Sequence, residues 1–119
     1  MSMISTILLI FTALEFFYIM YLETFATTSD ATGRVFNMTK EERNRQSVKV
    51  LFKNQGIYNG LIGIGLLYSV FFAEASLEIA RLLLIYIILV ALYGSITSDK
   101  KIILTQGGLA ILALVSTFF

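Results

Sequence analysis

Four long apolar segments, each divided from the next by charged residues, constrain this chain more than any other feature of its sequence. The segments cover residues 2–25, 49–72, 76–97 and 101–119. A helix that crosses a bilayer needs roughly 20 mostly apolar residues, so each segment is long enough. Only 14% of the residues are charged, against about 25% in an average soluble domain. The sequence therefore predicts an all-α integral membrane four-helix bundle, with residues 1–119 forming a single domain. A signal peptide is the alternative interpretation of the first segment, but that segment has no basic start and carries Glu15.

The basic residues are distributed unevenly around these segments. Eight of the nine lie in or beside the loops that follow the first and third segments, and only Arg81 lies on the opposite side. Basic loops of membrane proteins are retained in the cytoplasm. We therefore expect a multi-pass protein of the bacterial cell membrane with both termini on the non-cytoplasmic side.

Residues 26–48 form the one sizeable polar loop. Thr39 and Glu42 have the spacing of a capping box, which predicts a helix start. No helix-breaking residue follows, so we expect one continuous helix from about Lys40 to Phe72, with its first turns in the cytoplasm.

Composition excludes several kinds of chemistry. The chain has no cysteine and no histidine, which removes disulfides and the usual zinc ligands. A net charge of +1 gives no basis for nucleic-acid binding. We expect no metal, no cofactor and no catalytic residue, and an enzyme is the less favoured interpretation.

Polar side chains recur within the apolar segments at helical spacing. At 100° per residue, Phe11, Glu15, Tyr18 and Leu22 share one face of the first segment, and Glu23 lies about 80° further around the helix. Similar stripes on the other segments are Asn54, Gln55, Tyr58 and Asn59; Tyr86, Val90, Tyr93 and Thr97; and Gln106, Ala110, Ala113 and Thr117.

These stripes lie at a similar depth, nearer the cytoplasmic ends of the segments. They predict a polar pocket that opens to the cytoplasm around a membrane-embedded acid. The alternative is that the polar groups only bond neighbouring helices together. The candidate ligand- or proton-binding residues are Glu15, Tyr18, Glu23, Asn54, Gln55, Tyr58, Asn59, Tyr93 and Gln106.

Glycines adjoin these polar positions. Small residues allow close helix packing in membranes, and space for a ligand against bare backbone is the alternative. The sequence leaves open whether the packing partner lies within the chain or in a second copy, so a homodimer is admitted. The predicted packing residues are Gly56, Gly60, Gly63, Gly94 and Gly107.

Four stretches carry a resemblance to a known family. They are ALEFFYIMYLETF, NQGIYNG, LYGSIT and ILTQGGLAILAL. Together they resemble the bacterial domain of unknown function 1304 family, small integral membrane proteins with four spans. The resemblance implies an architecture and no activity. The small multidrug resistance transporters have a similar layout, with a membrane-embedded Glu early in the first helix, but this chain differs in its long first loop and lack of Trp.

Three functions follow as hypotheses. The first is binding or transport of a small solute, cation or proton at Glu15 and the amides of the second segment. The second is an intramembrane binder or enzyme for a lipid or isoprenoid, with Glu15 or Glu23 as a base. Arg45, Lys49 and Lys53 could meet the headgroup phosphate of a membrane lipid at the cytoplasmic surface, but ordinary positive-inside charge is the favoured interpretation of these three residues. The third is a non-catalytic scaffold or accessory subunit.

Overall fold

A computed structural model describes all residues from Met1 to Phe119, and every regular element in it is helical. The prediction of an all-α chain is therefore confirmed. The helices are α1 (Met3–Met20), which continues into a π-helical turn (Tyr21–Phe25), α2 (Asp30–Phe36), α3 (Lys40–Arg43), α4 (Gln46–Phe71), α5 (Ser76–Thr97), α6 (Ile102–Thr105) and α7 (Gly108–Ser116).

Two stretches are long and apolar enough to cross a membrane, judged by length and composition alone. They are Met3–Phe25 and Ser76–Thr97. The second predicted segment forms α4, which is 26 residues long but carries lysines and amides in its first half. The fourth predicted segment is interrupted between α6 and α7, where Gln106 and Gly107 lie outside both helices. Two of the four predicted segments thus meet the criterion for a span.

The predicted continuous helix from Lys40 to Phe72 is wrong. The capping box at its start is confirmed, because the Thr39 side chain accepts from the Glu42 backbone and the Glu42 side chain accepts from the Thr39 backbone. However, α3 ends after Arg43, and α4 begins only at Gln46. Asn44 explains the break. Its side-chain amide donates a hydrogen bond of 2.7 Å to the Lys40 carbonyl, and such local bonds compete with helix propagation.

The chain forms two compact units, each described here by itself. A central unit comprises Leu14–Gly63, and a terminal unit comprises Met1–Ala13 with Ile64–Phe119. In the terminal unit the Ser5 and Ser116 hydroxyls bond at 2.9 Å. Arg81 of α5 donates to the Thr117 carbonyl at 2.7 Å and lies 4.3 Å from the centre of the Phe118 ring. These contacts hold the last residues of the chain against α5.

The predicted inward faces of α1 and α5 are largely exposed, apart from the buried Leu22 and the half-buried Glu15. On α1, Phe11 and Tyr18 are about half exposed, and on α5 Tyr86, Val90 and Tyr93 are exposed as well. The buried stripe of α5 is instead Ala80, Leu84, Ile87 and Ala91. That of α1 and the turn that follows it includes Ser5, Leu9, Thr12, Ala13, Phe16, Ile19, Leu22 and Glu23. Both helices are apolar all round, so their sequences do not fix which face is buried.

Candidate functional site

The π-helical turn places the buried Glu23 at the centre of a polar cluster in the central unit. The amide of Ala26 donates to the carbonyl of Tyr21 at 2.9 Å, five residues earlier, which is the defining bond of a π turn. Glu23 is fully buried within this turn. Single π turns within helices are often found at functional sites, so the turn draws attention to the acid it carries.

Two carboxamides of α4 donate to the Glu23 carboxyl group. Gln55 Nε2 donates to Glu23 Oε2 at 2.7 Å, and Asn59 Nδ2 donates to Glu23 Oε1 at 2.5 Å. Residues four apart lie on the same face of a helix, so α4 presents both amides together. Each carboxyl oxygen thus has its own amide donor. We refer to Glu23, Gln55 and Asn59 as the Glu23 cluster.

Two glycines of α4 bring its backbone close to the chain around Glu23. A Cβ on Gly56 would overlap the Thr24 hydroxyl, and a Cβ on Gly60 would overlap the Met20 sulfur. The Thr24 hydroxyl also donates to the Lys53 carbonyl at 3.0 Å. Because side chains at these glycines would push the helices apart, the small residues set the distance over which Gln55 and Asn59 reach Glu23.

No cationic side chain pairs with Glu23. The one ion pair of the chain joins Arg43 to Asp30 at 3.2 Å, and no group of acidic, histidine or cysteine side chains could hold a metal ion. The charge of an ionised Glu23 would therefore be balanced by amide dipoles alone. A carboxyl group in that setting can take up a proton, or stay ionised and accept both donors.

The other predicted site residues of the central unit make no hydrogen bond to this cluster. Glu15 is half-buried, and its Oε1 is buried without a hydrogen-bond partner. Tyr18 and Tyr58 are 53% and 73% exposed, and Asn54 is exposed too. Of the polar residues of α4, only Gln55 and Asn59 bond Glu23. Gln55 is exposed like Asn54 and Tyr58, and Asn59 is half-buried.

The remaining candidates belong to the terminal unit. Tyr93 is 70% exposed, and Gln106 is half-buried. A Cβ on Gly94 would lie 3.2 Å from Ile102, and one on Gly107 would lie 2.6 Å from the Ile103 carbonyl. Gly107 therefore has no room for a side chain, and the chain turns there between α6 and α7.

Sequence reasoning missed the hydroxyl residues that follow the π turn. Thr32 and Thr27 are buried, and their hydroxyls donate to backbone carbonyls of the turn at Ala26 and Glu23, each at 2.6 Å. The segment TFATTSDATG is rich in Ser and Thr. Such residues satisfy the free carbonyls at helix ends, which is the signal that could have identified them.

These features define a class: an all-helical chain with two apolar helices of membrane-spanning length and a buried carboxyl group bonded by two carboxamides. The chain belongs to the family described as Protein of unknown function (DUF1304), which it matches over residues 10–118. It is 74% identical over 119 residues to the Uncharacterized protein YpaA of Lactococcus lactis subsp. lactis (strain IL1403), an alignment that covers the whole of both chains. No solved structure matches the chain.

Proposed function

We propose that the chain is a multi-pass protein of the bacterial cell membrane in which the Glu23 cluster binds a proton during the transport of a small solute or cation. The observation that carries this proposal is the Glu23 carboxyl group, fully buried and bonded at both oxygens by amides of α4. Acidic residues within membrane segments are rare and mark proton or ion pathways.

Two features support a membrane location. Met3–Phe25 and Ser76–Thr97 have the length and apolarity of spans, and eight of the nine basic residues lie in or beside the two loops assigned to the cytoplasm. With α4 and the last segment as further spans, the chain would cross the bilayer four times, and both termini would lie outside. Glu23 would then lie near the cytoplasmic end of the first span.

A proton fits the Glu23 cluster better than a metal cation does. Hard cations are held by six or more oxygen ligands. Around Glu23 the nearest polar contacts are amide N–H groups, which point their hydrogens at the carboxyl oxygens. An N–H donor repels a cation, and the two donors stabilise the ionised carboxyl group that a bound proton would neutralise. The solute that would move with the proton is a small molecule or a monovalent cation.

The test uses the full chain in lipid vesicles that enclose a pH-sensitive dye. We expect the wild type to dissipate an imposed pH gradient and Glu23→Gln to abolish that flux. Infrared spectra of the same vesicles should contain a titrating carboxyl band that Glu23→Gln removes. Glu78→Gln, at an exposed position of α5, is the matched control and should behave like the wild type. Undiminished flux in folded Glu23→Gln would contradict the proposal.

One observation favours a second candidate, a purely structural role in helix association. Gly56 and Gly60 pack so closely against Thr24 and Met20 that the Glu23 cluster also joins two helices. In that case Glu23→Gln would leave any flux unchanged and lower only the melting temperature. The two functions are thus separated by the same variant, measured for flux and for stability.

A further inference from the structure

We infer that the α2 segment controls the orientation of Glu23 through one hydroxyl group, that of Thr32. The inference rests on the proposed function, since it concerns regulation of the same site. Thr32 belongs to α2, and its side chain reaches back to the π turn that carries Glu23. It touches neither the carboxyl group nor the amides, so it is a positioning residue.

The π turn leaves a carbonyl without its usual partner. In an α-helix the Leu22 carbonyl would accept from the amide of Ala26, but that amide bonds Tyr21 instead. Leu22 is 1% exposed, so water cannot readily take the vacant position. The Thr32 hydroxyl donates to the Leu22 carbonyl at 3.0 Å and to the Ala26 carbonyl at 2.6 Å. It therefore supplies the hydrogen bond that the π geometry removes.

Thr32 is itself held in place by the start of α2. Its hydroxyl has one hydrogen, which the two carbonyls share, so in the 3.0 Å contact with Ser29 the Ser29 hydroxyl is the donor. Ser29 is the N-cap of α2, and its Oγ accepts a hydrogen bond of 3.2 Å from the Thr32 amide. The position of the Thr32 hydroxyl thus depends on α2 being folded and capped.

Loss of the Thr32 hydroxyl should change the direction of Glu23. Without that donor the buried Leu22 carbonyl would be unsatisfied, which is costly, and the Ala26 amide could return to it in an α-helical register. Converting the π turn to an α turn would rotate Glu23 relative to the helix before it. The carboxyl group would then no longer face both Gln55 and Asn59. Docking of α2 therefore sets whether the Glu23 cluster is assembled.

Thr32→Val tests the inference because valine keeps the shape of threonine and lacks the hydroxyl. The primary readout is the infrared carboxyl band of Glu23, assigned by its loss in Glu23→Gln. We expect Thr32→Val to shift the band and its titration midpoint, and to lower any proton flux about tenfold, the effect of roughly one buried hydrogen bond. Thr32→Ser keeps a hydroxyl and should retain the wild-type band, titration midpoint and flux. Thr28→Val, at an exposed position of the same segment, should leave the band, its midpoint and the flux unchanged.

The outcomes separate this inference from the proposed function. Wild-type vesicles without flux would refute transport, while the infrared band would still report the orientation of Glu23. An unchanged Glu23 band and midpoint in folded Thr32→Val would overturn the role of Thr32. If Thr32→Val does not fold, Thr32→Ala removes the hydroxyl from a smaller side chain. A wild-type band in Thr32→Ala would overturn the inference, and a shifted band with rescue by Thr32→Ser would support it.

Discussion

Asn59 donates a hydrogen bond of 2.5 Å to the buried carboxyl group of Glu23, which precedes it by 36 residues. The bond joins α4 to the π turn after α1 at the level where Gly56 and Gly60 bring the two backbones together. A buried acceptor that loses its donor is destabilising, so this contact contributes to the stability of the central unit.

The contribution of Asn59 can be measured against a second asparagine on the same helix. We expect Asn59→Leu to lower the free energy of unfolding by about 1–3 kcal/mol, because it leaves a buried carboxyl oxygen without its donor. Asn54→Leu is the matched control, since Asn54 is exposed, and its effect should be close to zero. Thermal unfolding in detergent, followed by circular dichroism, gives both values. Equal losses for the two variants would show that the Asn59 bond contributes nothing specific.

The glycines of α4 should differ in their tolerance of a methyl group. A Cβ on Gly56 would lie 3.1 Å from the β-carbons of both Thr24 and Glu23, besides overlapping the Thr24 hydroxyl. At Gly60 the overlapping atom is the Met20 sulfur near the end of a flexible side chain. We therefore expect Gly56→Ala to lower the melting temperature more than Gly60→Ala does.

Gly108 is the control for those two substitutions. A Cβ at Gly108 would meet no atom within 4 Å, and alanine is favoured over glycine in a helix by roughly 0.5–1 kcal/mol. Gly108→Ala should therefore leave the melting temperature unchanged or raise it. A loss at Gly108 as large as that at Gly56 would mean that close approach of the helices does not explain these glycines.

Several parts of this structure could be derived from the sequence, and the reasons are local. Helix content follows from long apolar segments without proline, and the Thr39–Glu42 capping box follows from two residue types at one spacing. The sequence groups the polar side chains of α4 by their spacing, yet only Gln55 and Asn59 bond Glu23. A helix that is apolar on every side has no preferred face in its sequence. Tyrosine adds to the uncertainty, because its apolar ring tolerates exposure beside lipid or at an interface.

The π turn could not be derived in this way. One additional residue in a turn changes which side chains face a neighbour, but it leaves no mark in a regular 100° pattern. The sequence therefore does not decide whether Glu15 or Glu23 is the acid that contacts the amides. In the inference drawn above, the direction of Glu23 depends on Thr32 of α2, through the bonds of its hydroxyl to the Leu22 and Ala26 carbonyls.

Arg43 should matter far more to the α2–α3 segment than its acidic partner does. The side chain of Arg43 is 8% exposed and that of Asp30 is 89% exposed. Arg43 also donates a hydrogen bond of 3.0 Å to the Met38 carbonyl and packs against the backbone of Gly33. Exposed ion pairs contribute about 0–1 kcal/mol, so Asp30→Asn should have little effect. Arg43→Ala should expose the segment to rapid proteolysis, measured as the rate of cleavage within residues 26–45. Equal rates for the two variants would contradict this assignment.

The capping box predicts a pH dependence confined to the start of α3. The Thr39 amide donates a hydrogen bond of 2.9 Å to the Glu42 carboxylate, and this bond lowers the pKa of Glu42 below its ordinary value of 4.5. The pKa of Glu42 is lower in the folded chain than in the unfolded chain. The stabilisation is therefore complete at a pH above the unfolded-state pKa, and it is lost as the pH falls through the folded-state pKa. Hydrogen exchange of the Thr39 amide should therefore accelerate, relative to its intrinsic rate, as the solution is acidified below about pH 4.5. Glu42→Gln should flatten this dependence because a neutral amide replaces the titrating acceptor, whereas Glu41→Gln, at the exposed neighbouring position, should retain it. A pH dependence that persists in Glu42→Gln would show that another group controls the start of this helix.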